Sequence, residues 1–238
     1  MKLYLLHPFH SHSRCQFLAS LFNTLEPYIN KNAAYNSRER EDEQASICKE
    51  HTREKVLRNI TAWAERRNGR PVCWLAGSAG SGKSTIAHTI AQQYDRVENG
   101  CNKLAFSFFF SRRNRDRSDA TRLVLTLAYR VAITLPLVKH AMEDALANEP
   151  SILDQRLEHQ FTKLIVNPVL SITKPVSPLI IVIDGLDECG SEAHVKELIR
   201  IFVSALPNSH FGCSSQADPR TTLTRYSPVS RLPAMLNV

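Results

Sequence analysis

Eight consecutive residues, Gly77-Ser78-Ala79-Gly80-Ser81-Gly82-Lys83-Ser84, combine three glycines, a lysine and hydroxyl groups at a spacing suited to a dense polyanion. A triphosphate needs many hydrogen-bond donors that can approach closely. Gly77, Gly80 and Gly82 let the backbone curl so that successive N–H groups point inward. A helix beginning near Lys83 adds its N-terminal partial positive charge. In such a loop Lys83 bridges the β and γ phosphates, the Ser84 hydroxyl ligates Mg²⁺ and Thr85 supports the α phosphate. The whole run from Gly77 to Thr85 is therefore the candidate nucleotide-binding segment. A chance glycine-rich turn would place the four constrained residues together roughly once in a hundred chains of this length.

A second candidate lies 101 residues past Lys83 (184 − 83), in Leu179-Ile180-Ile181-Val182-Ile183-Asp184-Gly185-Leu186-Asp187-Glu188. An acid at the end of a buried strand, expected next to the strand entering the phosphate loop, can hold Mg²⁺ through water. Asp184 fits that role. Asp187 and Glu188, just beyond the strand, are placed to orient and polarise an attacking water. Alone, the segment would read as a strand closed by a solvated acidic turn. The loop upstream favours the metal reading.

The elements that must position these groups follow from periodicity. Val56, Leu57, Ile60 and Trp63 recur at helical spacing from His51, and Asn68-Gly69 closes that helix. Pro71 to Ala76 is a short apolar strand that runs straight into the loop. Ile86, Ala87, Ile90, Ala91 and Tyr94 then form one apolar helix face. Leu104–Phe110 and Pro178–Ile183 are further buried strands, the latter wholly apolar as a central parallel strand should be. Helices are predicted from about Ser118 to Leu135, from Pro136 onward, from Asp154 to about Val166, and from Glu192 to Leu206. Strands alternating with helices give an α/β class, a three-layer fold with a mainly parallel sheet flanked by helices.

Composition narrows the alternatives. The chain has 238 residues, 43% hydrophobic and 22% charged, enough for one ordinary domain with a full core. Its net charge of +7 favours anionic partners but is spread along the chain. The six cysteines lie far apart with no zinc-type spacing, which reads as a reduced, cytoplasmic protein. No apolar run suits a membrane span, and His7, Pro8, His10, His12 and Arg14 interrupt any signal-peptide core. The run Arg38 to Glu43 reads as a solvated helix face or linker, and Arg112, Arg113, Arg115 and Arg117 as a solvated loop. Phe108 to Phe110 reads as core. The guanine-reading N-K-x-D step is absent, since Asn102-Lys103-Leu104-Ala105 lacks the acid, so ATP is favoured.

GSAGSGKS, LIIVIDGLDE and the lead-in Cys48 to Trp63 (CKEHTREKVLRNITAW) together resemble the NACHT NTPases of the STAND class of P-loop proteins. The likeness is strongest to the fungal group with nephrocystin-type N-terminal domains, and it covers about Ala45 to Leu206. Gly185 after the metal aspartate, with acids three and four residues past Asp184, is the pattern that separates NACHT proteins from most P-loop relatives. Phe108-Phe109-Phe110-Ser111-Arg112 and the helix Asp154 to Pro168 also look like this group. The resemblance implies a switch that binds ATP or ADP with Mg²⁺, hydrolyses slowly, and self-associates when opened by ATP.

Some residues depart from that pattern. The family's γ-phosphate-sensing arginine is expected after the strand near His210, where Gln216 stands, and a neutral side chain loses the charge-assisted contact. Arg220 is the nearest substitute. The reading is an N-terminal segment (1–45), an NTPase domain (46–220) and a tail (221–238) without winged-helix or repeat segments, as in a fragment or a shortened product. A small-molecule kinase and a DNA-associated ATPase are the alternatives. Nucleic acid is not an expected partner, because the basic residues are scattered with no groove-entering element.

Overall fold

In the computed structural model the described residues are 21–43, 45–65, 72–98, 101–173, 179–204 and 234–237. Four strands form one parallel sheet: β1 (Val72–Leu75), β4 (Leu104–Phe109), β5 (Ile180–Asp184) and β6 (Ala234–Asn237). Their spatial order is β1-β6-β5-β4. The minor strands β2 (Val97–Glu98) and β3 (Cys101–Asn102) form a separate antiparallel pair. Among the described residues, 21–25 are helical, and the helices that follow are α1 (Arg38–Asp42), α2 (Glu54–Glu65), α3 (Lys83–Tyr94), α4 (Thr121–Thr134), α5 (Lys139–Asn148), α6 (Leu157–Phe161), α7 (Asn167–Leu170) and α8 (Glu192–Ser204). A wide π turn, Thr162–Val166, joins α6 to α7. Pro168, lacking an N–H, follows it at the start of α7.

Strands β4 and β5 are covered on both faces, as parallel strands require. All residues of β4 and β5 are buried. Ile180 and Val182 join Leu104 and Phe109 under α2 and α3, where Ile60, Ala64, Ala87, Ile90 and Ala91 meet them. Ile181 and Ile183 face the other way with Phe106 and Phe108, against α4, α6 and α8. The apolar stripe read for α3 is the buried one, residue for residue: Ile86, Ala87, Ile90, Ala91 and Tyr94. Phe108 to Phe110 are core, each at most 3% exposed. This is an α/β arrangement. Among the described residues no single helix is long and apolar enough to cross a membrane.

Three expectations change. The strand of Asp184 does not lie directly beside β1, because β6 runs between them and pairs with both. That strand comes from residues read as a tail, whereas the strand expected near His210 lies outside the described residues, as do Gln216 and Arg220. The charge run Arg38 to Glu43 is not simply a solvated face or linker. It holds helix α1, and the segment around it is built into the fold: Leu21, Leu25, Ile29 and Ala33 are buried in the main core. The Phe109 N–H donates to the Ala33 carbonyl at 2.8 Å, and the Tyr35 N–H to Ser107 Oγ at 3.0 Å. Thus the segment runs along the outer side of β4. Lastly, Arg117 is not solvated but fully buried.

Candidate nucleotide site

The glycine-rich loop occupies the end of β1 and the start of α3. Residues Ala76 to Ser81 are exposed between an apolar strand and an apolar-faced helix, so the loop is accessible to a ligand. Helix α3 begins at Lys83 with Gly82 as its cap, and Gly82 takes φ +84°, a left-handed conformation that other residues enter at a cost. The Ser81 N–H closes a turn onto the Ser78 carbonyl at 3.2 Å, with Ala79 and Gly80 at its tip. Lys83 Nζ folds back over the loop and donates to the carbonyls of Gly77 (2.8 Å) and Ser78 (3.3 Å). Its charge therefore stands at the loop mouth rather than reaching into solvent. Ser84 is exposed in the first turn of α3, and Thr85 is half-buried beside it.

Because the sheet is parallel, the carboxyl ends of β1 and β5 point the same way. Asp184 ends β5 at the side of the sheet where the loop emerges. Strands in a sheet are about 4.8 Å apart, so with β6 between them β1 and β5 are roughly 10 Å apart. Alternation along β5 puts Asp184 on the same face as Ile180 and Val182, the face covered by α3. The side chain is 3% exposed. A buried carboxylate and an exposed first-turn hydroxyl are hard oxygen donors, the kind a Mg²⁺ ion accepts. Among the described residues no three His, Cys, Asp or Glu side chains gather as a self-sufficient metal cage.

Gly185, at φ +71°, turns the chain sharply after Asp184. A Cβ there would stand 3.3 Å from the Phe110 carbonyl oxygen. The turn Leu186–Glu188 follows, with Leu186 buried and Asp187 exposed. Glu188 is engaged: its Oε2 accepts the Arg112 N–H at 3.1 Å, while the Arg112 guanidinium donates to the Asp187 carbonyl. The two acids thus differ, one held against the loop after β4 and the other presented to solvent.

Two groups were not legible as site residues. Arg53, at the N-terminal edge of α2, reaches across to donate from Nη2 to the Ser81 carbonyl at 2.9 Å. It lies so close over Gly82 that a Cβ there would come within 2.1 Å of it. The lead-in Cys48 to Trp63 is legible for its helix period and its family resemblance, neither of which singles out Arg53. The second group is a charged cluster where α1 meets β4. Arg117 donates from Nε to the Phe109 carbonyl at 3.0 Å and from Nη1 to Glu43 at 2.6 Å, with Glu39 at 3.7 Å. Arg40 lies 4.4 Å above the Phe109 ring and 3.2 Å from Glu43. Burial lowers the Arg40 pKa, against the pull of the Glu43 and Asp184 carboxylates. Burial raises that of Glu43, but the Arg117 and Arg40 guanidinium groups outweigh it and hold the carboxyl below its ordinary value.

No curated protein and no solved structure matches the chain. A family model described as Nephrocystin 3, N-terminal, matches residues 51–216, well over half of the sequence. That span takes in Arg53, the loop, Asp184 and the acidic turn, so the chain belongs to the nephrocystin 3 N-terminal family.

Proposed function

We propose that this chain is the nucleotide-binding core of a signalling switch of the NACHT/STAND type, with a three-layer P-loop fold that binds ATP or ADP with Mg²⁺. The observation that carries the reading is the placement of Lys83. A lysine ammonium is held over a glycine-rich loop at a helix N-terminus, and a buried carboxylate stands at the same end of a parallel sheet.

The chain's own residues divide the work. The loop N–H groups and the start of α3 donate hydrogen bonds to phosphate oxygens, and Lys83 exchanges its carbonyl contacts for the β and γ phosphates. Ser84 and Asp184 hold Mg²⁺, which neutralises phosphate charge. Asp187, exposed, orients a water for hydrolysis, and Glu188 sets the position of the turn by gripping the Arg112 N–H. Hydrolysis built on so exposed a site is slow and serves timing. Self-association on opening and a cytoplasmic setting belong to the same reading.

The test is ligand-induced thermal stabilisation of the whole chain by ATP, ADP and GTP, each with and without Mg²⁺. Stabilisation by ATP and ADP that exceeds that by GTP supports the proposal. Indifference to all three contradicts it.

A conventional kinase is the second reading. One observation favours it: an open, polar cavity lined by Arg115, Asp116, Ser118, Asp119, Arg122 and His194, which offers both signs of charge and a hydroxyl to a small acceptor. Rapid phosphate transfer to a small hydroxyl compound would establish that reading in place of the switch.

A further inference from the structure

We infer that Arg40 on helix α1 is a latch on the metal position, a counter-charge for Asp184 that must give way when a Mg²⁺-bound nucleotide arrives. The inference rests on the nucleotide reading of the site. Its geometry is independent of that reading. Phe109 and Asp184 are register partners at the ends of β4 and β5, so their backbones are neighbours about 5 Å apart. Phe109 packs on the α3 face, the face that alternation gives Asp184. The Arg40 guanidinium lies on the Phe109 ring, 4.4 Å from its centroid. A fixed positive charge therefore sits on the same face as the buried carboxylate, over the neighbouring strand β4 and across β5 from the loop, near enough for the Asp184 charge to act on Arg40. Its side chain is only 12% exposed.

A guanidinium and a Mg²⁺ ion in adjoining places repel, and the repulsion is strong where water is excluded. The surroundings let Arg40 be the one to leave. Its Nε is buried without a hydrogen-bond partner, so the docked state is incompletely satisfied. Its carboxylate partner is not orphaned by departure, because Glu43 keeps the shorter contact to Arg117 at 2.6 Å. Helix α1 has five residues and no side-chain cap, which gives it little stability of its own. Occupancy of the metal position is thereby transmitted to the N-terminal segment, which would signal it as a change in docking.

The experiment titrates ATP calorimetrically into the whole chain at a series of free Mg²⁺ concentrations, for wild type, Arg40→Met and Arg40→Lys. In parallel, hydrogen exchange follows backbone amides 38–43 with and without Mg²⁺ and ATP. Methionine keeps the contact with Phe109 and removes the charge; lysine keeps the charge. The expected result is that Arg40→Met lowers the Mg²⁺ requirement about tenfold while Arg40→Lys stays near wild type. Amides 38–43 of the wild type exchange faster once Mg²⁺ and ATP are bound. An Arg40→Met variant with an unchanged or higher Mg²⁺ requirement overturns the latch, the latter marking Arg40 as a phosphate ligand. Should Arg40→Met not fold, amides in the wild type that are unmoved or more protected with Mg²⁺ and ATP overturn it equally. A wild type with no Mg²⁺-dependent ATP binding overturns the nucleotide reading along with the latch. Normal binding with Mg²⁺-indifferent variants overturns the latch alone.

Discussion

Arg53 Nη2 and the Ser81 carbonyl oxygen stand 2.9 Å apart, and this contact fastens the start of α2 to the glycine-rich loop. The same guanidinium covers Gly82, which needs a left-handed backbone. Gly82→Ala should therefore act twice, through a conformational cost of about 1–2 kcal/mol and through displacement of Arg53. In an Arg53→Ala background only the first effect remains. A double-mutant cycle by urea denaturation should show a coupling of at least about 0.5 kcal/mol. Strict additivity would mean that Arg53 does not rest on the loop.

Glu43 is the carboxylate shared by two arginines, one of them fully buried. Removing it leaves the buried Arg117 charge with only the longer 3.7 Å contact to Glu39, and breaking a buried pair costs up to about 3–5 kcal/mol. Glu39, 3.7 Å from Arg117 and a third exposed, should cost under about 1 kcal/mol when replaced by alanine. Denaturant melts of Glu43→Ala and Glu39→Ala check the order. Because the Glu43 pKa is held below its ordinary 4.5, the stability it contributes is complete above that pH and is lost as pH falls through the lower folded value.

That cluster shows where sequence reading stops. The loop, Lys83, the strand of Asp184 and the stripe of α3 were legible because local rules specify them: glycine spacing, an apolar run, a 3.6-residue period. Arg117 was not, since four arginines within six residues look the same whether solvated or buried. Its burial depends on Glu43, 74 residues upstream, which offers a carboxylate at the one place where β4 ends. The strand β6 was missed for a related reason. Ala-Met-Leu-Asn has no alternation and little β-branching, and its place between β1 and β5 comes from pairing partners on both sides. The N-terminal leucines carry a short signal: Leu21, Leu25 and Ile29 lie at helical spacing, residues 21–25 are helical and Glu26–Tyr28 is a 3-10 turn, but three apolar positions do not make a sustained period.

His88 stands edge-on to Tyr35, at 5.4 Å between ring centroids, and near Phe109 on the buried side of α3. Burial, and secondly the charge of Arg40, hold its pKa below 6.5. The unfolded chain therefore binds a proton that the fold refuses. Stability is full above pH 6.5, declines below it, and levels once His88 is protonated in the fold. His88→Phe should flatten the melting temperature between about pH 7 and pH 5. An unaltered slope would assign the acid response to other groups.

His51 has φ +60° and an almost wholly exposed side chain. Glycine at that position should be neutral or stabilising by up to about 1 kcal/mol, while the β-branched His51→Val should destabilise. Thermal melts of the two variants separate the cases, and a destabilised His51→Gly would show that the imidazole matters more than the backbone.

The central claim is that Lys83 holds the phosphates of a nucleotide. Calorimetric titration of ATP with Mg²⁺ into wild type and Lys83→Ala tests it most directly, with a melt to show that the variant is folded. Lys83 donates only to exposed loop carbonyls, so the fold should survive its loss. Binding should weaken by at least the 1.5–3 kcal/mol of a charge-assisted hydrogen bond, roughly ten- to a hundredfold in affinity. A folded Lys83→Ala that binds ATP as tightly as wild type would contradict the account.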